Sequence, residues 1–295
     1  MIFKKLNKLE ALLLKIQDKK AYKEYKYLKR IAAIPPVPLI EIENKEKVNF
    51  KHSGHLGDII YAIPAMYALA GKRKINLYIH VNQAIEIWGN HPLGKQSLND
   101  HSISLLKSLL LAQPNFNLVE KYFPEHPIDY DLDLFRKFPI EFDKGNISRW
   151  YFNVFGITYD LSKPWLVANP DETMNDKIVI ARSSRYNAPF IDYSILNTYN
   201  NLVFVGLPEE YQAMKVIIPR LEYQKTDDFL SLACIIKGAK LFIGNQSSPF
   251  ALAEALKVPR ILESYYLCPN VIPGGPNAYE FSFQPQFEFL VKKLL

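Results

Sequence analysis

The 295-residue chain is 48% hydrophobic and 13% aromatic, carries two cysteines, and has a formal net charge of +6. Its length accommodates two domains of ordinary size, and no apolar run approaches the roughly 18 residues that a membrane span requires. Lys15, Asp18, Lys19 and Lys20 fall where a secretory signal would need an apolar core, so the cytoplasm is the expected compartment. Cys234 and Cys268 have neither metal-ligand spacing nor a disulfide framework around them.

The positive charge is concentrated at one end. Residues 1–30 hold ten Lys/Arg against three acids, leaving 26 basic and 27 acidic residues in the rest. A nearly neutral body removes the main support for a nucleic-acid surface. Residues 1–33 read as a helical extension with an apolar stripe of Ile2, Leu6, Leu9, Leu13 and Ile16, followed by Tyr22, Tyr25 and Tyr27 among lysines. Two readings stand: a basic amphipathic helix in peripheral contact with an anionic membrane, or a helix packed on protein with its lysines solvated. Pro35, Pro36 and Pro38 form a stiff connection onward.

Residues 48–69 then read as strand, glycine loop and helix. Val48, Phe50 and His52 alternate with polar residues, Gly54 and Gly57 bracket a loop, and Ile59, Ile60, Ile63, Met66, Tyr67 and Leu69 recur at helical spacing after Asp58. Pro64 predicts an irregular or kinked helix. A glycine loop leading into a helix N-terminus suits a phosphate, a carboxylate or the partner of a reacting hydroxyl, and Asp58 reads equally as a simple helix cap. Residues 75–81 alternate as a second strand, so the unit is βαβ and implies a parallel sheet. A helix at 103–112, short strands at 117–122 and 130–135, and an aromatic helix at 150–155 follow. Pro164 and Pro170 mark a boundary.

A second α/β series begins at Lys177, with strands at 178–181, 202–205 and 241–243 and helices at 209–217 and 227–237. Residues 244–263, GNQSSPFALAEALKVPRILE, repeat the layout of a polar turn, a helix and a strand. Two such series predict an α/β protein of two Rossmann-like halves facing across a cleft at their strand C-terminal ends.

These stretches resemble glycosyltransferase family 9, the ADP-heptose lipopolysaccharide heptosyltransferases and their relatives. SGHLGDIIYAIPAMYAL resembles the family's Gly-Asp signature, NLVFVGLPEEYQ its Gly-x-Pro-Glu stretch, and FIGNQSSPFALAEALKVPRILE its donor-site signature. The resemblance implies a GT-B architecture. Residues 1–46 are then an extension and linker, 47–165 an acceptor domain, and 166–295 a nucleotide-sugar donor domain. It also implies inverting, metal-independent transfer from a nucleoside-diphosphate sugar to a lipopolysaccharide-type acceptor, with no cofactor beyond that co-substrate.

In the family pattern the base position falls on Asp58, which takes the proton of the acceptor hydroxyl. Arg182 and Arg185 stand where a basic residue meets the departing diphosphate, or one of them pairs with Asp176 or Glu263. Gln246, Ser247 and Ser248 offer backbone and hydroxyl donors to phosphate. Three positions depart from the family: Gln246 replaces Asp, Ser248 replaces Gly and Ala251 replaces His. Gly57 and His55 are candidates for acceptor or sugar contact, as are Glu254 and Glu263, whose alternatives are a solvated helix face and a surface salt bridge. His80, His91, His101 and His126 show no ligand spacing, and no metal site is expected. Two rivals remain, a non-catalytic sugar-nucleotide or glycan binder and a dinucleotide oxidoreductase; the latter lacks Gly-x-Gly-x-x-Gly after the first strand.

Overall fold

A computed structural model of the protein describes residues 5–37, 40, 42–84 and 94–295. Ile2 and Lys4 of the expected extension, Pro38 and His91 lie outside the described residues. The extension is two helices rather than one, α1 (Lys8–Gln17) and α2 (Lys19–Ile31). Asp18 causes the break: its backbone is extended, and its side chain accepts from the N–H groups of Lys20 and Ala21 at 2.9 Å. The apolar stripe divides as well. Leu6 turns toward α2, where its N–H donates to the Tyr25 hydroxyl at 3.1 Å, while Leu9, Leu12, Leu13 and Ile16 stay exposed.

The first sheet contains β1 (Lys47–His52), β2 (Lys74–Ile79), β3 (Phe116–Lys121) and β4 (Tyr130–Asp131), all parallel, in the order β3-β2-β1-β4. Helices α3 (Leu56–Ala70), α4 (Asp100–Leu111) and α5 (Ile147–Phe155) belong to this half. The expected strand at 130–135 stops after Asp131, whose side chain accepts from the Asp133 N–H and starts a 3-10 turn over Leu132–Lys137. Helix α3 runs through Pro64 without a break. Proline has no N–H for the Ile60 carbonyl, and the Trp165 indole N–H donates to that oxygen instead, at 3.1 Å.

The second sheet contains β5 (Ile178–Ala181), β6 (Leu202–Phe204), β7 (Glu222–Tyr223), β8 (Leu241–Asn245), β9 (Arg260–Glu263) and β10 (Ala278–Phe281). All are parallel, in the order β10-β9-β8-β5-β6-β7. Its helices are α6 (Pro208–Ile217), α7 (Phe229–Gly238), α8 (Ser248–Leu256) and α9 (Gln284–Leu294). In both sheets the chain steps outward from the first strand and then returns to that strand's other side. The order therefore reverses between β1 and β4, and again between β5 and β8. Such switch points leave a crevice at the strand C-terminal ends, where ligands of open α/β sheets bind.

The two halves share one apolar core. Ile59, Ile60 and Ile63 of α3 belong to the same buried cluster as Phe250, Ala251 and Leu252 of α8, because the two helices pack together between the sheets. Polar contacts reinforce the junction. Gln113 exchanges two hydrogen bonds with the backbone of Val167, and the Ile147 N–H donates to the Asn270 carbonyl. A second cluster, with Ile180, Tyr193, Phe204 and Phe287, covers the far face of the second sheet.

Candidate active site between the two sheets

A cavity of about 480 Å³ opens where the two switch points face each other. His55, Gly57 and Asp58 line it from the end of the loop after β1 and the first turn of α3, Arg182 and Arg185 from the loop after β5, and Gln246, Ser247 and Ser248 from the turn after β8 and the start of α8. Eight of the sequence-derived candidates thus meet in one space. The N-termini of α3 and α8 converge on it: a carbon placed on Gly57 would lie 3.8 Å from Ser248 Cα and 3.9 Å from Ala251 Cβ. Two helix N-termini facing one cavity make it favourable for an anion. The same contact explains why Ala251 is small, since it is fully buried against α3.

Asp58 is the third residue of α3, and its Oδ2 accepts from the His55 N–H at 2.9 Å. The carboxylate therefore caps the helix and still borders the cavity, so the cap and base roles are compatible. Gly54 makes this position possible. A Cβ there would come within 2.5 Å of His52 Cε1 and 2.7 Å of both Asp58 Cβ and Oδ2. Below the loop, His52 Nδ1 accepts from the Gly54 N–H at 2.8 Å, which assigns the proton to Nε2, and Nε2 donates to the Tyr151 hydroxyl at 2.8 Å. Burial holds the His52 and His55 pKa values below the ordinary 6.5. The Ser53 N–H donates to Asp133 Oδ1 at 3.1 Å, tying the loop to the turn after β4.

On the opposite wall, Arg182 is bidentate to Glu263: Nε lies 2.7 Å from Oε2 and Nη2 lies 2.8 Å from Oε1. Glu263 is fully buried and also accepts from the Ala188 N–H and the Tyr193 hydroxyl. Glu254 is buried too, paired with Lys257 and Arg260, and it accepts from the Gly274 N–H at 3.1 Å. Neither glutamate lines the cavity. The expected sugar contacts of Glu254 and Glu263 are replaced by buried ion pairs, and their alternative readings as exposed groups fail for the same reason. Arg185 stacks its guanidinium on Tyr186, 5.1 Å from the ring centre.

The Gln246 side chain is committed elsewhere. Its Nε2 donates to the Cys268 carbonyl at 2.6 Å and to Asn270 Oδ1 at 2.8 Å, while its Oε1 accepts from the Tyr265 N–H at 2.8 Å. Gln246 thus pins residues 265–270 and leaves the backbone of the turn to face the cavity. Asn270 Nδ2 in turn donates to the Phe142 carbonyl in the first half.

Two residues that shape the candidate site were not singled out from the sequence. Asn245, fully buried, donates from Nδ2 to the carbonyls of Ser183 and Arg185 and to Asn187 Oδ1, fixing the loop that carries both arginines. Its signal was the Asn of GNQSS, next to residues that were singled out. Glu210 lines the cavity from α6, where it accepts from the Leu207 N–H at 3.1 Å, and burial raises its pKa. Its signal was a Glu three residues into a helix that begins at Pro208.

Asp-x-Asp spacing, a pattern of metal-dependent transferases, occurs at Asp129-Tyr130-Asp131 and Asp131-Leu132-Asp133. Asp129 pairs with Lys45, Asp131 with Lys51 at 2.7 Å, and Asp133 with Arg136 at 3.5 Å. Among the described residues no three His, Cys, Asp or Glu converge as metal ligands would.

Comparisons with solved structures agree with this architecture. A glycosyltransferase family 9 protein from Veillonella parvula superimposes with a TM-score of 0.55 at 14% identity, over 86% of this chain and 90% of that one. E. coli heptosyltransferase WaaC with ADP gives 0.56 at 10% identity, over 84% and 100% of the two chains. E. coli ADP-heptose lps heptosyltransferase II gives 0.54 at 12% identity, over 84% and 98%. No family model and no curated protein matches the sequence. The chain has the two-sheet GT-B fold of these glycosyltransferases, with its own cavity at the meeting point of the two sheets.

Proposed function

We propose that the protein is an inverting, metal-independent glycosyltransferase that moves a sugar from a nucleoside diphosphate to a lipopolysaccharide-type acceptor. Residues 47–165 are its acceptor half and 166–295 its donor half. One observation carries the reading: Asp58 and the N-terminus of α8 border the same cavity from facing switch points. A carboxylate on one wall and anion-binding groups on the other are what an in-line displacement at a sugar carbon requires.

The acceptor hydroxyl oxygen attacks the anomeric carbon while Asp58 takes its proton. The bond from that carbon to the diphosphate oxygen breaks, and its electron pair leaves with the nucleoside diphosphate. Attack opposite the leaving group inverts the configuration. Arg185 and the backbone N–H groups at the start of α8 hold the departing charge, supported by Arg182. Glu210, in the first turn of α6 after the second strand of its sheet, suits the paired hydroxyls of a ribose. The names of the structural neighbours include ADP and ADP-heptose, so ADP-heptose heads the donor panel. Incubating the protein with nucleoside-diphosphate sugars and lipopolysaccharide-type acceptors should release nucleoside diphosphate with at least one donor; no release from any of them overturns the proposal.

The Gln246 contacts favour a second reading, a non-catalytic binder, because the side chain at the family's donor-site Asp position faces a loop instead of a sugar. Tight nucleotide binding by calorimetry with no turnover would select it.

A further inference from the structure

The helical pair at residues 8–31 has no part in the cavity, and its surface has two components. On α1, Leu9, Leu12, Leu13 and Ile16 follow one another at three- and four-residue spacing and are 66%, 52%, 45% and 70% exposed. Such spacing places them on a single helix face. Ala11 and Leu14, on the opposite face, are half-buried, as are Ala21, Tyr22 and Tyr25 of α2. The outward stripe is therefore distinct from the seam that joins the two helices. Tyr27, Leu28 and Ile31 of α2 add further exposed apolar surface, at 44%, 42% and 41%.

Around this apolar surface lie Lys8, Lys15, Lys19, Lys20, Lys23, Lys26, Lys29 and Arg30, against only Glu10, Asp18 and Glu24. Two of the three acids act as helix caps: Glu10 accepts from the Asn7 N–H and Asp18 from the N–H groups of Lys20 and Ala21. Among the described residues, none of these lysines is in an ion pair. Exposed leucines flanked by unpaired lysines complement a surface that is apolar inside and anionic outside. The same charge repels a second copy of the hairpin, and a nucleic acid would leave the leucine stripe in water. Among the described residues no helix is long and apolar enough to cross a membrane, so the contact is with the surface.

We propose that residues 8–31 dock the protein on an anionic lipid bilayer, with the Leu9, Leu12, Leu13 and Ile16 stripe inserted among the acyl chains and the lysines at the headgroups. The hairpin is tied to the body where this matters. Arg30 Nη2 donates to the Phe138 carbonyl at 3.1 Å, at the end of the 3-10 turn whose Asp133 accepts from the Ser53 N–H in the loop that leads into α3 and Asp58. Docking would bring the first half of the cavity near a membrane-held substrate. Lipid binding needs the hairpin alone and is independent of any transferase activity.

Co-sedimentation of the full chain with vesicles tests the proposal. Vesicles of phosphatidylcholine with about 30% phosphatidylglycerol should bind the protein, pure phosphatidylcholine should bind it weakly, and salt near 0.5 M should reduce the anionic binding. Leu9→Glu with Leu13→Glu should lower the partition coefficient at least about tenfold, as should Lys15→Gln, Lys19→Gln and Lys23→Gln combined. All these sites are exposed, so the melting temperature should be unchanged. Absence of binding to anionic vesicles, or wild-type binding by the leucine variant, overturns the proposal. So does lipid-free self-association that the leucine variant abolishes, which would assign the stripe to a second copy.

Discussion

Arg182, just after β5, and Glu263, at the end of β9, form a bidentate pair across the end of the intervening strand β8, with the carboxylate fully buried and both of its oxygens engaged. A buried pair of this kind is costly to break from one side, because the remaining charge has no solvent. Glu263→Ala is expected to lower unfolding free energy by about 3–5 kcal/mol. Urea denaturation checks this, and a loss below about 1 kcal/mol, the range of an exposed pair, would contradict the buried assignment.

Gly54 lies against the Asp58 carboxylate, where a methyl group would sit 2.7 Å from Oδ2. Gly54→Ala must displace the carboxylate or the loop. Turnover is expected to fall about 100-fold, as misplacement of a reacting group by about 1 Å does, while the affinity for nucleoside diphosphate stays near wild type. Steady-state kinetics beside calorimetry separates the two quantities. Equal losses in both would place Gly54 in folding instead.

The Ile60 carbonyl depends on Trp165, 105 residues away, because Pro64 offers no N–H. Trp165→Phe leaves that buried oxygen unpaired and should cost about 1–3 kcal/mol for the lost hydrogen bond, besides the lost ring volume. Pro64→Ala restores an intrahelical donor. The cost of Trp165→Phe should therefore be smaller in the Pro64→Ala background, and a double-mutant cycle with no coupling would contradict the arrangement.

These pairings mark what could be read from the sequence and what could not. The strand, turn and helix units at residues 48–69 and 241–263 are legible because glycine and short polar residues punctuate apolar runs, and the parallel order follows from their repetition. Pro64 announces an irregularity, but only the folded chain brings Trp165 to it. Glu263 reads as a surface group because Arg182 is 81 residues away, and Glu254 does so although Lys257 and Arg260 are close in sequence, because a local pattern carries no sign of burial. Strands β7 and β10 are two and four residues long and hold polar residues, too little for an alternation to register. Helix α9 is different: Pro285 in its first turn and Phe287, Leu290 and Val291 at helical spacing were a usable signal. In the candidate site the cavity walls were legible and the supporting contacts were not: Asn245 holds the loop of Arg182 and Arg185, and the Gln246 side chain, read as a phosphate contact, holds the loop at residues 265–270 instead.

His52 is buried and neutral, and burial lowers its pKa from 6.5. Above pH 6.5 both folded and unfolded states leave it unprotonated, so its contribution to stability is fully present. Below that value the unfolded chain takes up the proton first, and stability declines as pH falls toward the folded-state pKa. His52→Asn removes this group, and its chemical-denaturation midpoint should vary less between pH 7.5 and 5.5 than that of the wild type. An identical pH dependence in the two proteins would show that His52 is not the titrating group.

The role of Asp58 is tested most directly by measuring sugar transfer with wild type and Asp58→Asn side by side, together with each protein's affinity for the nucleoside diphosphate. A general base accounts for about 10²–10⁴ in rate, so kcat should fall by that factor while nucleotide affinity is retained. Wild-type turnover in Asp58→Asn would contradict the assignment and leave the residue as the cap of α3.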